Sequence, residues 1–168
     1  MDGEWQAMQP ADLAEVAALS ERIHPELPED YAVQAKRLAL WPRGCKVLRQ
    51  DGNIMGYAFS HPIIAGNPPP LNAVPEEIDP HADEYYLHDV VVDPALRGRG
   101  LASQGIDLLL AEAQAFETAA LVSVYGTAPF WERFGFTPVV IEDMAWKLAP
   151  YGEGAVFMRR LNEPKVTT

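Results

Sequence analysis

A chain of 168 residues suits one domain with a sizeable core, and a mean hydropathy of -0.11 excludes a chain made mainly of membrane spans. The formal net charge of -11 argues against nucleic acid or an anionic membrane as main partner, because both demand excess basic charge. Such a balance either draws in cationic small molecules or only keeps the surface soluble. Cys45 is the only cysteine, which excludes an intramolecular disulfide and reads as a small buried residue. Met1 to Trp5 lacks the basic and apolar regions of a signal peptide, so the expected compartment is the cytoplasm.

Trp5 to Met8 reads as a short edge strand. Asp12 and Glu15 have capping-box spacing, and Leu13, Val16, Leu19 and Ile23 follow at helical intervals until His24-Pro25. A second helix is expected from about Pro28-Glu29, stopping before Pro42. Cys45 to Gln50 and Ile54 to Ile64 read as strands joined by a hairpin turn at Asp51-Gly52-Asn53. Residues 65–83 carry Pro68, Pro69, Pro70, Pro75 and Pro80, which forbid regular structure. Glu76, Glu77, Asp79 and Asp83 make this stretch acidic, and it is expected to form a semi-rigid wall beside a site.

Leu87 to Val92 is a β-branched run ended by Asp93-Pro94. Arg97-Gly98-Arg99-Gly100 follows, then a helical pattern from about Leu101 to Phe116, with Leu101, Gly105, Leu108 and Leu109 on one face. A strand, a glycine turn and a helix N-terminus together make an anion site, since the first N–H groups of a helix have no partner within it. Ala120 to Val124, Pro138 to Ile141 and Ala155 to Leu161 read as further strands. A short helix is expected from about Thr127 to Phe134, ended by Gly135, and residues 164–168 are expected to fray.

The glycine turn does not fit G-x-x-x-x-G-K-[ST], because no lysine follows Gly98 or Gly100. It also fails G-x-G-x-x-G, whose third glycine position is Ser103. Arg97-x-x-Gly100-x-Ala102 instead resembles the [RQ]-x-x-G-x-[GA] pyrophosphate loop of the GNAT acetyltransferase superfamily. Ala128-Pro129-Phe130-Trp131-Glu132-Arg133-Phe134-Gly135-Phe136 resembles that family's F-Y-E-x-x-G-F segment, and the likeness spans about residues 5 to 161. The strand Tyr85 to Val92 is most similar to the arylalkylamine N-acetyltransferase branch, where two histidines stand at the positions of Tyr86 and His88.

The resemblance implies one α/β domain over residues 1–168, with a mixed, largely antiparallel sheet, helices on both faces and two splayed central strands. It implies acetyl transfer from acetyl-coenzyme A to a primary amine by direct attack. The pyrophosphate would lie on the backbone of Gly98, Arg99, Gly100, Leu101 and Ala102, with Arg97 and Ser103 assisting. Val90, Val91, Val92, Phe130 and Trp131 would line the rest of the cofactor, with an oxyanion donor at a bulge near Val90 or Val91.

His88 is the expected base, sharing a face with Val90 on a regular strand, and Tyr86 is a relay. Trp131 replaces the family's usual tyrosine acid, and an indole cannot supply a proton, so the proton comes from Tyr125 or water, or the thiolate leaves unassisted. The other histidines show no metal-ligand spacing, so no metal is expected.

Expected partners are acetyl-coenzyme A and a small cationic amine, with a homodimer left open and neither nucleic acid nor membrane. The loop carboxylates would gather the amine, and Tyr31, Tyr57 or Tyr86 would hold it. A sensor that binds acyl-coenzyme A without turnover, and a protein acetyltransferase, are the alternatives.

Overall fold

The computed structural model describes residues 3–27, 29–142 and 144–162. The chain opens with edge strand β1 (Glu4–Ala7), then α1 (Leu13–Ile23) and α2 (Tyr31–Leu40). Pro28 lies outside the described residues. Helix α2 starts three residues later than its proline-acidic signal suggested, which leaves Glu29 on a loop. Strands β2 (Lys46–Gln50) and β3 (Asn53–Ile63) form a hairpin whose two turn residues, Asp51 and Gly52, have φ of 52° and 83°. Two positive φ values twist a two-residue turn the way paired strands need.

Strand β4 (Glu84–Val92) leads through the glycine turn to α3 (Leu101–Ala113) and then to β5 (Thr118–Ser123). The short helix α4 (Ala128–Glu132), strand β6 (Thr137–Pro138), helix α5 (Ala145–Leu148) and strand β7 (Val156–Leu161) complete the described fold. The strand expected over Pro138 to Ile141 shrinks to two paired residues, and α5 was not foreseen. Met144 and Ile141 instead pack with Tyr86, Ala120 and Phe157 on the sheet. Residues 164–168 lie outside the described residues.

The sheet order is β1-β2-β3-β4-β5-β7-β6, antiparallel everywhere except between β4 and β5. That parallel pair is joined only from Glu84↔Thr118 to Leu87↔Leu121. Beyond Leu87 the two strands part, leaving a fork in the middle of the sheet.

One face packs against α1 and α2 through Val16, Leu19, Leu38, Tyr57, Phe59 and Val91. The other packs against α3 through Ala58, Tyr85, Leu87, Ile106 and Leu109. Leu108, expected on the buried face of α3, is 42% exposed, and Ile106 and Leu110 take that role. Gly105 is needed because a Cβ there would lie 2.5 Å from the Trp5 ring, whose Nε1 donates to the Leu101 carbonyl at 2.8 Å. The edge strand is thereby tied to the start of α3.

At the closed end of the fork Glu84 is fully buried. It accepts from Arg159 Nε at 2.5 Å, Thr118 Oγ1 at 2.8 Å and the Gly66 N–H at 3.0 Å.

Candidate active site

The β3–β4 register slips where the fork opens. Phe59 faces Asp89 while Ser60 faces Leu87, so His88 is the extra residue of a β-bulge. A bulge turns two consecutive side chains to one face. Asp89 reaches the Tyr57 hydroxyl on the α1/α2 side, and the Tyr86 and His88 rings lie 6.0 Å apart. Val90, by contrast, packs with the α3 cluster. The expectation that His88 and Val90 share a face is therefore corrected: the pair on one face is His88 and Asp89. Strict alternation was broken by one inserted residue.

His88 meets a residue that local sequence did not single out. Its Nε2 lies 2.7 Å from Glu29 Oε1, with side-chain exposures of 3% and 7%. Arg37, also buried, donates to both Glu29 oxygens at 2.9 and 2.6 Å, and the Asn72 N–H donates to Oε2 at 2.9 Å. Burial works to raise the Glu29 pKa, but the His88 and Arg37 charges and hydrogen bonds outweigh it and hold the carboxyl well below its ordinary range. An ionised carboxylate only accepts, so a neutral His88 must donate from Nε2 and keep its lone pair on Nδ1. That Nδ1 is buried with no hydrogen-bond partner among the described residues. Tyr86 is fully buried, its hydroxyl and that of Tyr151 have no hydrogen-bond partner among the described residues, and burial raises both tyrosines.

The dyad borders a cavity of about 190 Å³ in the fork. Leu87 and Val90 line it from β4, Leu121 and Val122 from β5, and Phe130 and Trp131 from α4. Ser20, His24, Asp89, Tyr125, Thr127 and Tyr151 add polar groups to its wall, with Leu71 from the proline-rich loop. That loop is fixed here: Asn72 Oδ1 accepts from the Asp30 N–H at 2.7 Å, and the Ala73 carbonyl accepts from Arg37 at 3.2 Å.

Its carboxylates go elsewhere. Glu76 pairs with Lys36 at 2.7 Å, Asp79 caps the His81 N–H and Asp83 caps the Ala65 N–H. None of these, nor Glu77, lines the cavity; Glu29 and Asp89 do. Of the three tyrosines expected around an amine, Tyr31 is 52% exposed outside the cavity, and Tyr57 and Tyr86 are fully buried.

A second hollow of about 440 Å³ lies at the N-terminus of α3, lined by Val92, Arg97, Gly98, Gly100, Leu101, Ala102 and Ser103. Gly98 and Gly100 have φ of 81° and 71°, and a Cβ at either would meet only open space. Asp93 fixes the turn, accepting from the Ala95 N–H at 2.9 Å and from Arg22 at 2.7 Å. Phe130 borders both hollows.

Arg133, one turn on along the same segment, also lines the second hollow, its guanidinium 5.8 Å from the Phe130 ring. The F-W-E-R-F-G-F segment could have pointed to it. Arg99 is exposed and outside that lining, and Val91 is buried toward α1.

Tyr125 follows β5 at φ 55°, is 54% exposed and stacks on His24 at 5.9 Å. Burial and the charges of Glu26 and Asp89 raise its pKa. Trp131 packs edge-on to Phe130 and Phe136, at 5.2 and 5.9 Å. Among the described residues no cluster of three or more histidine, cysteine or carboxylate groups could hold a metal ion, and no helix is long and apolar enough to cross a membrane.

The forked sheet and the glycine turn ahead of α3 define the GNAT class of α/β domain. The family model described as "Acetyltransferase (GNAT) family" matches residues 12–136, and the chain belongs to that family. No curated protein sequence matches it significantly.

Among solved structures, the loading GNATL domain of CurA from Lyngbya majuscula is similar with a TM-score of 0.78 and 15% identity, covering 96% of this chain and 98% of that one. The GphF GNAT-like decarboxylase in complex with isobutyryl-CoA gives 0.77 and 21%, covering 95% and 100%. The ribosomal-protein-S18-alanine N-acetyltransferase from Escherichia coli gives 0.68 and 17%, covering 99% of each chain. At these identities the likeness is one of fold.

Proposed function

We propose that this protein is an acetyl-coenzyme A-dependent N-acetyltransferase acting on a small primary amine, with His88 as base and Glu29 as the group that orients it. The 2.7 Å contact between His88 Nε2 and Glu29 Oε1, at the fork of the sheet, carries this reading. An amine attacks a thioester only after losing a proton, and an imidazole with a fixed tautomer is suited to take it. Nδ1 is shielded, so the proton reaches it through water, with the Tyr86 ring 6.0 Å away.

Among the described residues, β4 has no strand partner on the β5 side from His88 onward. Its backbone N–H groups near Val90 and Val91 are the donors for the developing oxyanion. Tyr125, the exposed phenol at the cavity mouth, is the donor for the departing thiolate. The open space over Gly98 and Gly100 fits a pyrophosphate. Backbone N–H groups of Gly98 to Ala102 would hold it with Arg97, Ser103 and Arg133, and Val92, Phe130 and Trp131 would line the arm leading to the fork. When bound, the coenzyme supplies the activated acetyl group.

Free-thiol release from acetyl-coenzyme A with a panel of amines tests the proposal. Turnover that depends on the amine supports it. Coenzyme binding with no amine-dependent thiol release would leave a binding protein instead.

A further inference from the structure

We propose that Asp89 selects a cationic acceptor by holding its ammonium group at the mouth of the cavity, and that His24 is the cation with which the acceptor competes for it. This rests on reading the cavity as the acyl-transfer site. The bulge at His88 is what turns Asp89 into that cavity.

Two carboxylates line the wall, and they differ. Glu29 is 7% exposed and saturated by Arg37, His88 and the Asn72 N–H. The Asp89 side chain is 23% exposed, and among the described residues its hydrogen bond comes from a neutral group, the Tyr57 hydroxyl at 3.0 Å. Its counter-charge is His24 Nε2 at 3.6 Å, too far for a direct hydrogen bond. Among the described residues, no lysine or arginine lines the cavity. A carboxylate with one loose, titratable partner in a small cavity attracts a cation far more strongly than a screened surface carboxylate does. Tyr125, stacked on His24, adds an aromatic face at the same mouth.

The groups facing this pair are Ser20 from α1, Glu26 and Glu29 from the following loop, Tyr57 from β3, His88 from β4 and Tyr125 beyond β5. Burial works to lower the His24 pKa, but the polar contact with Asp89 and the Asp89 and Glu29 charges raise it on balance. The sign of the competition follows. In acid His24 is charged and occupies Asp89; as pH rises through its pKa, it releases the carboxylate to the acceptor. Acceptor affinity should fall on acidification while the acceptor itself stays protonated.

The test compares wild type, Asp89→Asn and His24→Gln, using 2-phenylethylamine and 1,4-diaminobutane as cationic probes and glutamate as an anionic one. The asparagine side chain keeps an oxygen for the Tyr57 hydroxyl, so the fold should be retained, as a melting curve would show. Asp89→Asn should raise the amine KM about tenfold or more while kcat at saturation changes less than about threefold, as expected for loss of a charge-assisted contact. His24→Gln should lower KM in acid and flatten its pH dependence. Amine titration of the coenzyme A-loaded protein by NMR gives the same comparison without turnover.

Equal amine affinity in Asp89→Asn and wild type, absence of amine binding to wild type, or preference for glutamate each overturns the anchor. Turnover of a non-cationic acceptor with no Asp89 effect sinks the anchor and leaves acyl transfer standing. Failure to bind coenzyme A sinks acyl transfer itself.

Discussion

Glu29 and His88 stand 59 residues apart in the chain, yet their side chains meet at 2.7 Å inside the protein. The contact depends on Glu29 staying out of α2 and on Arg37, within α2, gripping both of its oxygens. One carboxylate thereby serves the fold and fixes the histidine tautomer at once.

Glu29→Gln should affect both roles. The substituted amide lacks the charge that orients His88 and leaves the Arg37 guanidinium buried without a counter-ion, so stability should fall by about 3 kcal/mol or more. Turnover in the folded fraction should fall by about 10-fold or more. The pH dependence has a definite sign. The Glu29 pKa is depressed on folding from an ordinary 4.5, so its stabilisation is present above about pH 4.5 and drains away as pH falls below it. Denaturant melts of wild type and Glu29→Gln should therefore converge in acid; a constant gap would contradict the ion-pair account.

Gly100→Val probes the glycine turn. At φ 71° a β-branched residue is strained by roughly 1–2 kcal/mol, which a domain of this size should survive. Its side chain would project into the open space assigned to pyrophosphate. Calorimetry should find coenzyme A binding to wild type and none to the variant; affinities within threefold of each other would move the phosphate site elsewhere.

Tyr125→Phe removes one hydroxyl and keeps the ring that stacks on His24. Loss of kcat by about 10-fold or more at unaltered coenzyme A affinity is expected if this phenol protonates the thiolate. Trp131→Tyr should partly restore the rate in that background. A wild-type rate in Tyr125→Phe would assign the proton to water.

Glu84→Ala concerns the closed end of the fork. Deleting a fully buried carboxylate that three groups contact leaves Arg159 and Thr118 unpaired, at a cost of about 3 kcal/mol or more. A urea melt measures it. A loss under about 1 kcal/mol would mean that solvent reaches these groups.

The strand, turn and helix from Tyr85 to Ala113 were legible because their signals are local: β-branched residues, Asp93-Pro94, and glycines at positive φ. The dyad was half legible. His88 stood out by its place on that strand, but Glu29 looked like a helix-starting acid, and only tertiary packing brings it to the imidazole. The bulge was silent for a similar reason, since Leu87-His88-Asp89-Val90 reads as ordinary alternation and the register slip belongs to the pairing with β3. Acidic loop residues misled because composition places charge in a segment without giving its direction. Glu76 turns to Lys36, while Asp89 faces the cavity.

The most direct measurement is the pH dependence of kcat at saturating amine and acetyl-coenzyme A in wild type and His88→Ala. The account predicts an acidic limb in wild type that vanishes in His88→Ala, with the plateau lowered by about 10²-fold or more, the scale of general-base catalysis. An identical limb and plateau in the variant would contradict it, and would leave the buried Glu29–His88 pair as part of the fold alone.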